Sequence, residues 1–135
     1  MNSEVFPRGE WICPKSFAEI EPINILHREN VKLSAELPDN LKNLHILMRR
    51  TFRFSDSRGN VKIRITADDY YKLYINGKFV GQGPAQGYPF NYYWNEFDIT
   101  DFLTDGENVI LADVYYQGLI NRAYNSGDRR LGMVA

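Results

Sequence analysis

The chain has almost no cysteine: Cys13 stands alone among 135 residues. An intrachain disulfide is excluded, and a lone thiol suits a reducing compartment better than an oxidising one. An excess of charge of one sign is also missing. Lys and Arg number 16 against 17 Asp and Glu, for a net charge of −1. No broad positive field exists to draw a phosphate backbone, so nucleic acid is not an expected partner. The doublets Arg49-Arg50 and Arg129-Arg130 read as solvated strand or loop positions. No apolar run approaches the length of a bilayer-spanning helix, so no membrane partner is expected. The opening Met1-Asn2-Ser3-Glu4 lacks the basic and apolar regions of a secretory signal. With the lone thiol, that favours a cytoplasmic over a secreted protein. The two histidines, His27 and His45, make no transition-metal spacing with the scattered Asp residues. Internal repeats, low-complexity tracts and inter-domain linkers are absent as well.

Aromatic residues are plentiful, at 14% with nine Tyr and eight Phe. Tyr serves in sheets and on sugar-binding surfaces alike, so abundance alone does not choose between them. The length implies a single domain over 1–135, with an irregular segment at 1–21 and the folded body at 22–135. Within 1–21, Trp11-Ile12 before Pro14 reads as a short edge strand or apolar anchor. Ile23, Ile25 and His27 suggest a strand over 22–30, and Pro38-Asp39-Asn40 a turn. Leu44–Phe54 is a long apolar-rich run, closed by a turn at 56–60. Val61–Ala67 alternates strictly, with Lys62, Arg64 and Thr66 on the polar side, which predicts a half-buried strand. Tyr92–Asp98 and Val109–Tyr116 read as further strands, and Ile99–Leu103 as one helical turn. Short strands, frequent turns and no helical period predict an all-β antiparallel β-sandwich.

The strongest local signal is Tyr71–Ile75, Asn76-Gly77, Lys78–Gly81. Asn and Gly tolerate the positive φ that a type I′ hairpin turn needs, so the two strands should pair directly. Gly81 and Gly83, before Pro84, permit tight backbone geometry where the chain leaves the sheet. Asp98 and Thr100 can cap the helical turn or form an Asx-turn. The apolar run Leu131–Ala135 stops at the terminus without a closing turn. The expectation is a fragment of a longer chain, truncated at its C-terminal strand, with a free sheet edge open to self-association.

The stretch Ala67-Asp68-Asp69-Tyr70-Tyr71-Lys72-Leu73-Tyr74-Ile75-Asn76-Gly77-Lys78-Phe79-Val80-Gly81-Gln82-Gly83-Pro84 resembles the N-terminal β-sandwich of bacterial α-L-rhamnosidases. So do Arg50-Thr51-Phe52, Phe97-Asp98-Ile99-Thr100-Asp101-Phe102-Leu103 and Gly106-Glu107-Asn108-Val109-Ile110. The galactose-binding-like sandwich of β-galactosidases and β-glucuronidases follows a similar plan. The resemblance covers residues 44–118, with a weaker echo to 135. It implies a galactose-binding-domain-like jelly roll. It also implies a non-catalytic accessory role beside the catalytic domain of the same polypeptide, with rhamnose-containing carbohydrate as a further partner. In that family the catalytic acids lie in a helical barrel far downstream, so no catalytic residue and no cofactor carries over. On this view Asn76, Gly77, Gly83, Pro84 and Asp98 are scaffold.

Other constellations read weakly. Glycoside hydrolysis needs two carboxyl groups facing a sugar across a cleft. Asp68-Asp69 and Asp98/Asp101 are carboxylate pairs, but neighbours at a strand end point apart and read as solvated turn acids. Cys13 with His27 or His45 carries no nucleophile signature. Asp98, Asp101, Asp105 and Glu107 lack the order of a calcium loop, so no metal is expected. The feature closest to a binding site is the cluster from Gly87 to Asn95. Aromatic rings there can stack on sugar C–H faces while amides bond hydroxyls. Tyr88, Tyr92, Trp94 and Asn95 are the candidate carbohydrate contacts. Core packing or docking on a neighbouring domain explains the same rings, and a stand-alone lectin-like module is the alternative function.

Overall fold

The structure is a computed structural model that describes residues 6, 8–22, 41–55, 59–88, 91–118 and 129–135. The strand expected over 22–30, the turn at Pro38-Asp39-Asn40, residues 56–58 and Pro89-Phe90 lie outside the described residues. One helical turn, α1 (Lys15–Ala18), interrupts the N-terminal segment. Seven strands follow among the described residues: β1 (Leu44–Phe54), β2 (Lys62–Asp68), β3 (Tyr70–Ile75), β4 (Lys78–Gly83), β5 (Asn95–Asp98), β6 (Gly106–Tyr116) and β7 (Gly132–Val134). They form a four-stranded sheet in the order β1-β6-β3-β4 and a three-stranded sheet in the order β5-β2-β7. All pairings are antiparallel. The molecule is an all-β antiparallel sandwich.

The hairpin forms where Asn76-Gly77 places it. Asn76 has φ 50° and Gly77 φ 78°, the positive pair that matches strand twist. Tyr74 then faces Phe79 across the hairpin, and a register shift between Leu73 and Tyr74 admits one extra residue on β4. Gly81 lies inside β4 and Gly83 ends it, before Pro84, and both leave room for side chains of β5. A Cβ on Gly81 would run into the Phe97 ring, and one on Gly83 into the Asn95 amide. These bare positions let β5 approach the edge of the other sheet.

The core lies between the sheets. Ile63, Ile65 and Ala67 of β2 and Met133 of β7 meet Tyr71, Leu73 and Ile75 of β3 and Ala112, Val114 and Tyr116 of β6. Strand alternation sends these side chains to the shared face. Phe17 of α1 closes one end, edge-on to Tyr116 with ring centroids 4.9 Å apart.

Two expectations need correction here. The strand expected over Tyr92–Asp98 begins only at Asn95. Upstream of it, the Tyr93 carbonyl is taken by the Thr66 hydroxyl at 2.6 Å instead of by a strand partner. Secondly, β2 is half-buried only in its first half. Thr66, Ala67 and Asp68 are buried on both faces, because Tyr92 and the N-terminal segment cover the outer side. The N-terminal segment also reaches the last strand. Ile12 and Met133 exchange backbone hydrogen bonds of 2.9 and 3.0 Å, so part of the outer edge of β7 is paired.

Candidate functional site

The predicted contact residues separate into two places. Tyr92 and Trp94 sit on the outer side of the three-stranded sheet. The Tyr92 ring meets Trp11 edge-on at 5.2 Å, and Trp94 meets Phe6 at 6.4 Å. The Arg64 guanidinium lies 5.6 Å from the Trp94 ring centre, within cation–π range. Arg64 also donates to Glu96, which takes a second bond from Lys62. These two bonds hold the Glu96 carboxyl below its ordinary value, the Lys62 bond contributing most. Tyr93 and Trp94 stay exposed there, as do Trp11 and Ile12, and Tyr88 is exposed as well. The cluster is thus an aromatic surface built partly by the N-terminal segment, a contribution no local motif announces.

The reading of Asp68-Asp69 as solvated turn acids is wrong. Both are buried. The Tyr92 hydroxyl donates to Asp68 Oδ2, and the Gln117 backbone N–H to Asp69 Oδ2 at 2.8 Å. The Asp69 N–H in turn donates to the Tyr115 carbonyl at 3.1 Å. These acids tie the β2–β3 corner to the Tyr92 loop and to the end of β6. Asp98 forms the expected Asx-turn, accepting from the Thr100 N–H at 3.0 Å and the Thr100 hydroxyl at 2.6 Å. These bonds lower its carboxyl below the ordinary range, the hydroxyl bond most. Among the described residues, no three His, Cys, Asp or Glu side chains gather as a metal site would require. Cys13 is exposed, and His45 pairs with Asp113.

Asn95 belongs elsewhere. It points between the sheets at the β4 edge, where its Oδ1 accepts from the Tyr71 hydroxyl at 2.7 Å. Burial pushes the Tyr71 phenol well above its ordinary value. Past this pair opens a groove of about 590 Å³. Gly83, Pro84 and Ala85 form its side wall. Its floor is the outer face of the four-stranded sheet, in two cross-strand rows. Tyr115 stands opposite both His45 and Tyr70, and one step along, Lys72 stands opposite both Asp113 and Gln82. The groove draws on five strands, β1, β3, β4, β5 and β6, which is why no contiguous sequence signals it.

Its lining is held in place. His45 Nδ1 lies 3.0 Å from Asp113 Oδ1; a carboxylate only accepts, so the ring nitrogen donates. The His45 and Tyr115 rings are 5.0 Å apart and tilted. Tyr115 donates its hydroxyl to Asn43 at 2.7 Å, and Gln86 donates to the Tyr70 hydroxyl at 2.8 Å.

No family model matches the chain, and no curated protein matches it. Solved structures do. A GH78 family rhamnosidase of Bacillus sp. GL1 matches with 27% identity and a TM-score of 0.57, over 70% of this chain and 10% of its own. An α-L-rhamnosidase from Aspergillus terreus matches with 27% identity and a TM-score of 0.51, over 64% of this chain and 11% of its own. The chain therefore resembles part of known α-L-rhamnosidases, as its motifs suggested, and corresponds to about a tenth of the length of the enzymes it matches.

Proposed function

We propose that the chain is a non-catalytic accessory β-sandwich of an α-L-rhamnosidase-like glycoside hydrolase. One observation carries this reading: 70% of the chain aligns with only 10% of a rhamnosidase. A domain of that proportion braces a catalytic region supplied by the same polypeptide. The exposed Trp11, Ile12, Tyr93 and Trp94 give it an apolar surface suited to such a neighbour. The adjacent carboxylates Asp68 and Asp69 are buried and engaged in holding a corner of the fold.

Two measurements test the reading. The 135-residue chain, given an aryl α-L-rhamnoside, should release no phenol above the rate without protein. The reading frame past Ala135 should continue into a region carrying the paired carboxyl groups of a glycosidase. Turnover by the chain alone, or a stop codon directly after Ala135, overturns it. The second reading, a stand-alone lectin-like module, draws its support from the groove, whose lining mixes tyrosines with polar side chains. The same stop codon would favour it.

A further inference from the structure

We propose that the groove on the outer face of the four-stranded sheet binds a neutral pyranose, through His45, Tyr70, Lys72, Gln82, Asp113 and Tyr115. This places the carbohydrate contact on the opposite sheet from Tyr92 and Trp94. It rests on the glycosidase reading only for the choice of sugars to test.

The size of the groove, about 590 Å³, falls in the ordinary range for small-ligand sites. Its chemistry is mixed in the way a sugar requires. Tyr70 and Tyr115 offer half-buried rings to C–H faces. Both phenols are anchored by hydrogen bonds, to Gln86 and to Asn43, so little ring freedom is lost on binding. Between them the polar groups supply donors and acceptors in balance. Asp113 accepts, Lys72 donates, and the Gln82 amide does both. His45 is fixed by Asp113 with Nδ1 as the donor, which leaves Nε2 an acceptor when the ring is neutral. A sugar hydroxyl is itself both donor and acceptor and matches such a set.

Charge selects among polyols. The groove holds one ammonium, Lys72, and one carboxylate, Asp113, directly opposite each other in register. Their fields largely cancel, so neither a phosphate nor an anionic sugar is drawn in preferentially. The paired charges favour an uncharged ligand with its hydroxyls spread across both rows.

The test is a nuclear magnetic resonance titration of the isotope-labelled chain with methyl α-L-rhamnoside, methyl β-D-galactoside and methyl β-D-glucoside in turn. Expected is saturable binding of at least one, with a dissociation constant of about 0.1–10 mM. The shifts should centre on the amides of Lys72, Gln82 and Asp113. Gln82→Ala and Lys72→Ala, both at exposed positions, should each weaken it about two- to tenfold with melting temperature unchanged. Trp94→Ala should leave it unaltered. Shifts centred on Tyr88, Tyr92 and Trp94, or no saturable shift up to about 50 mM of any of the three, overturn the assignment. So does tighter binding of a galacturonate than of every neutral sugar. The accessory reading is decided separately, by the reading frame and the hydrolysis assay, so either can fail alone.

Discussion

Asn76 and Asn108 hold more of the structure than turn residues usually do. Beyond its positive φ, Asn76 uses its whole side chain. Its Nδ2 donates to the Phe102 carbonyl at 2.9 Å and to Asn108 Oδ1 at 2.7 Å, and its Oδ1 accepts from the Val109 N–H at 2.9 Å. Asn108, fully buried, accepts from the Thr104 N–H at 2.8 Å and donates to the carbonyls of Thr104 and Gly106. The pair joins the hairpin to the 3-10 turn at Thr100–Phe102 and to the start of β6. Asn108→Ala would strand several buried polar groups at once, and a loss of about 2–4 kcal/mol is expected from urea unfolding. Asn76→Gly keeps the backbone conformation but drops the side-chain bonds, and should cost about 1–2 kcal/mol. Tyr71 adds a pH dependence. Because burial raises its phenol above the ordinary value of about 10, the folded state favours the protonated form. That contribution is complete below pH about 10 and is lost as pH rises from there towards the folded value. Tyr71→Phe should flatten this alkaline fall in the urea midpoint; an unchanged slope would contradict it.

At the scale of elements, the N-terminal segment and β7 depend on each other. Met133 gives its N–H and C=O to Ile12, while its neighbours Gly132 and Val134 pair with Asp68 and Thr66 of β2. Removing residues 1–13 would free the outer edge of β7 and uncover Tyr92. An open edge with buried apolar residues behind it is a template for another chain. The truncated chain should therefore sediment as dimers or larger species at concentrations where the full chain does not. This coupling was invisible in the sequence for a physical reason. Strand pairing here joins residue 12 to residue 133, and no local pattern encodes a contact of that separation. The hairpin was legible because its turn chemistry is complete within two residues, Asn76 and Gly77. Val109–Tyr116 was legible as a strand because β-branched, aliphatic and aromatic residues fill it almost without a break. Asp68 and Asp69 were misread because adjacent acids after an alternating run look like a solvated turn. What buries them, Tyr92 and the Gln117 amide, lies 24 and 48 residues away. Tyr92–Trp94 misled in the opposite sense: aromatic enrichment suits a strand, yet the Thr66 hydroxyl holds this backbone outside the ladder.

For the molecule as a whole, the question is whether two sheets of unequal size unfold together. The three-stranded sheet is the weaker candidate to stand alone, since β5 and β7 are short. Its inward residues Ile63, Ile65, Ala67 and Met133 share one core cluster with Tyr71, Leu73 and Ile75 of β3 and Ala112, Val114 and Tyr116 of β6. Losing either sheet would expose the buried face of the other, so neither is stable without its partner. The chain is also of a length at which single domains commonly melt in one step. The two tryptophans permit a sharp test, because Trp11 and Trp94 both lie on the outer side of the three-stranded sheet. Their fluorescence reports that layer alone, whereas far-ultraviolet circular dichroism reports all the strands. In urea the two signals should trace one transition with one midpoint and one slope. An earlier fluorescence midpoint would mean that the aromatic layer detaches first, and that the core between the sheets does not bind them into one cooperative unit.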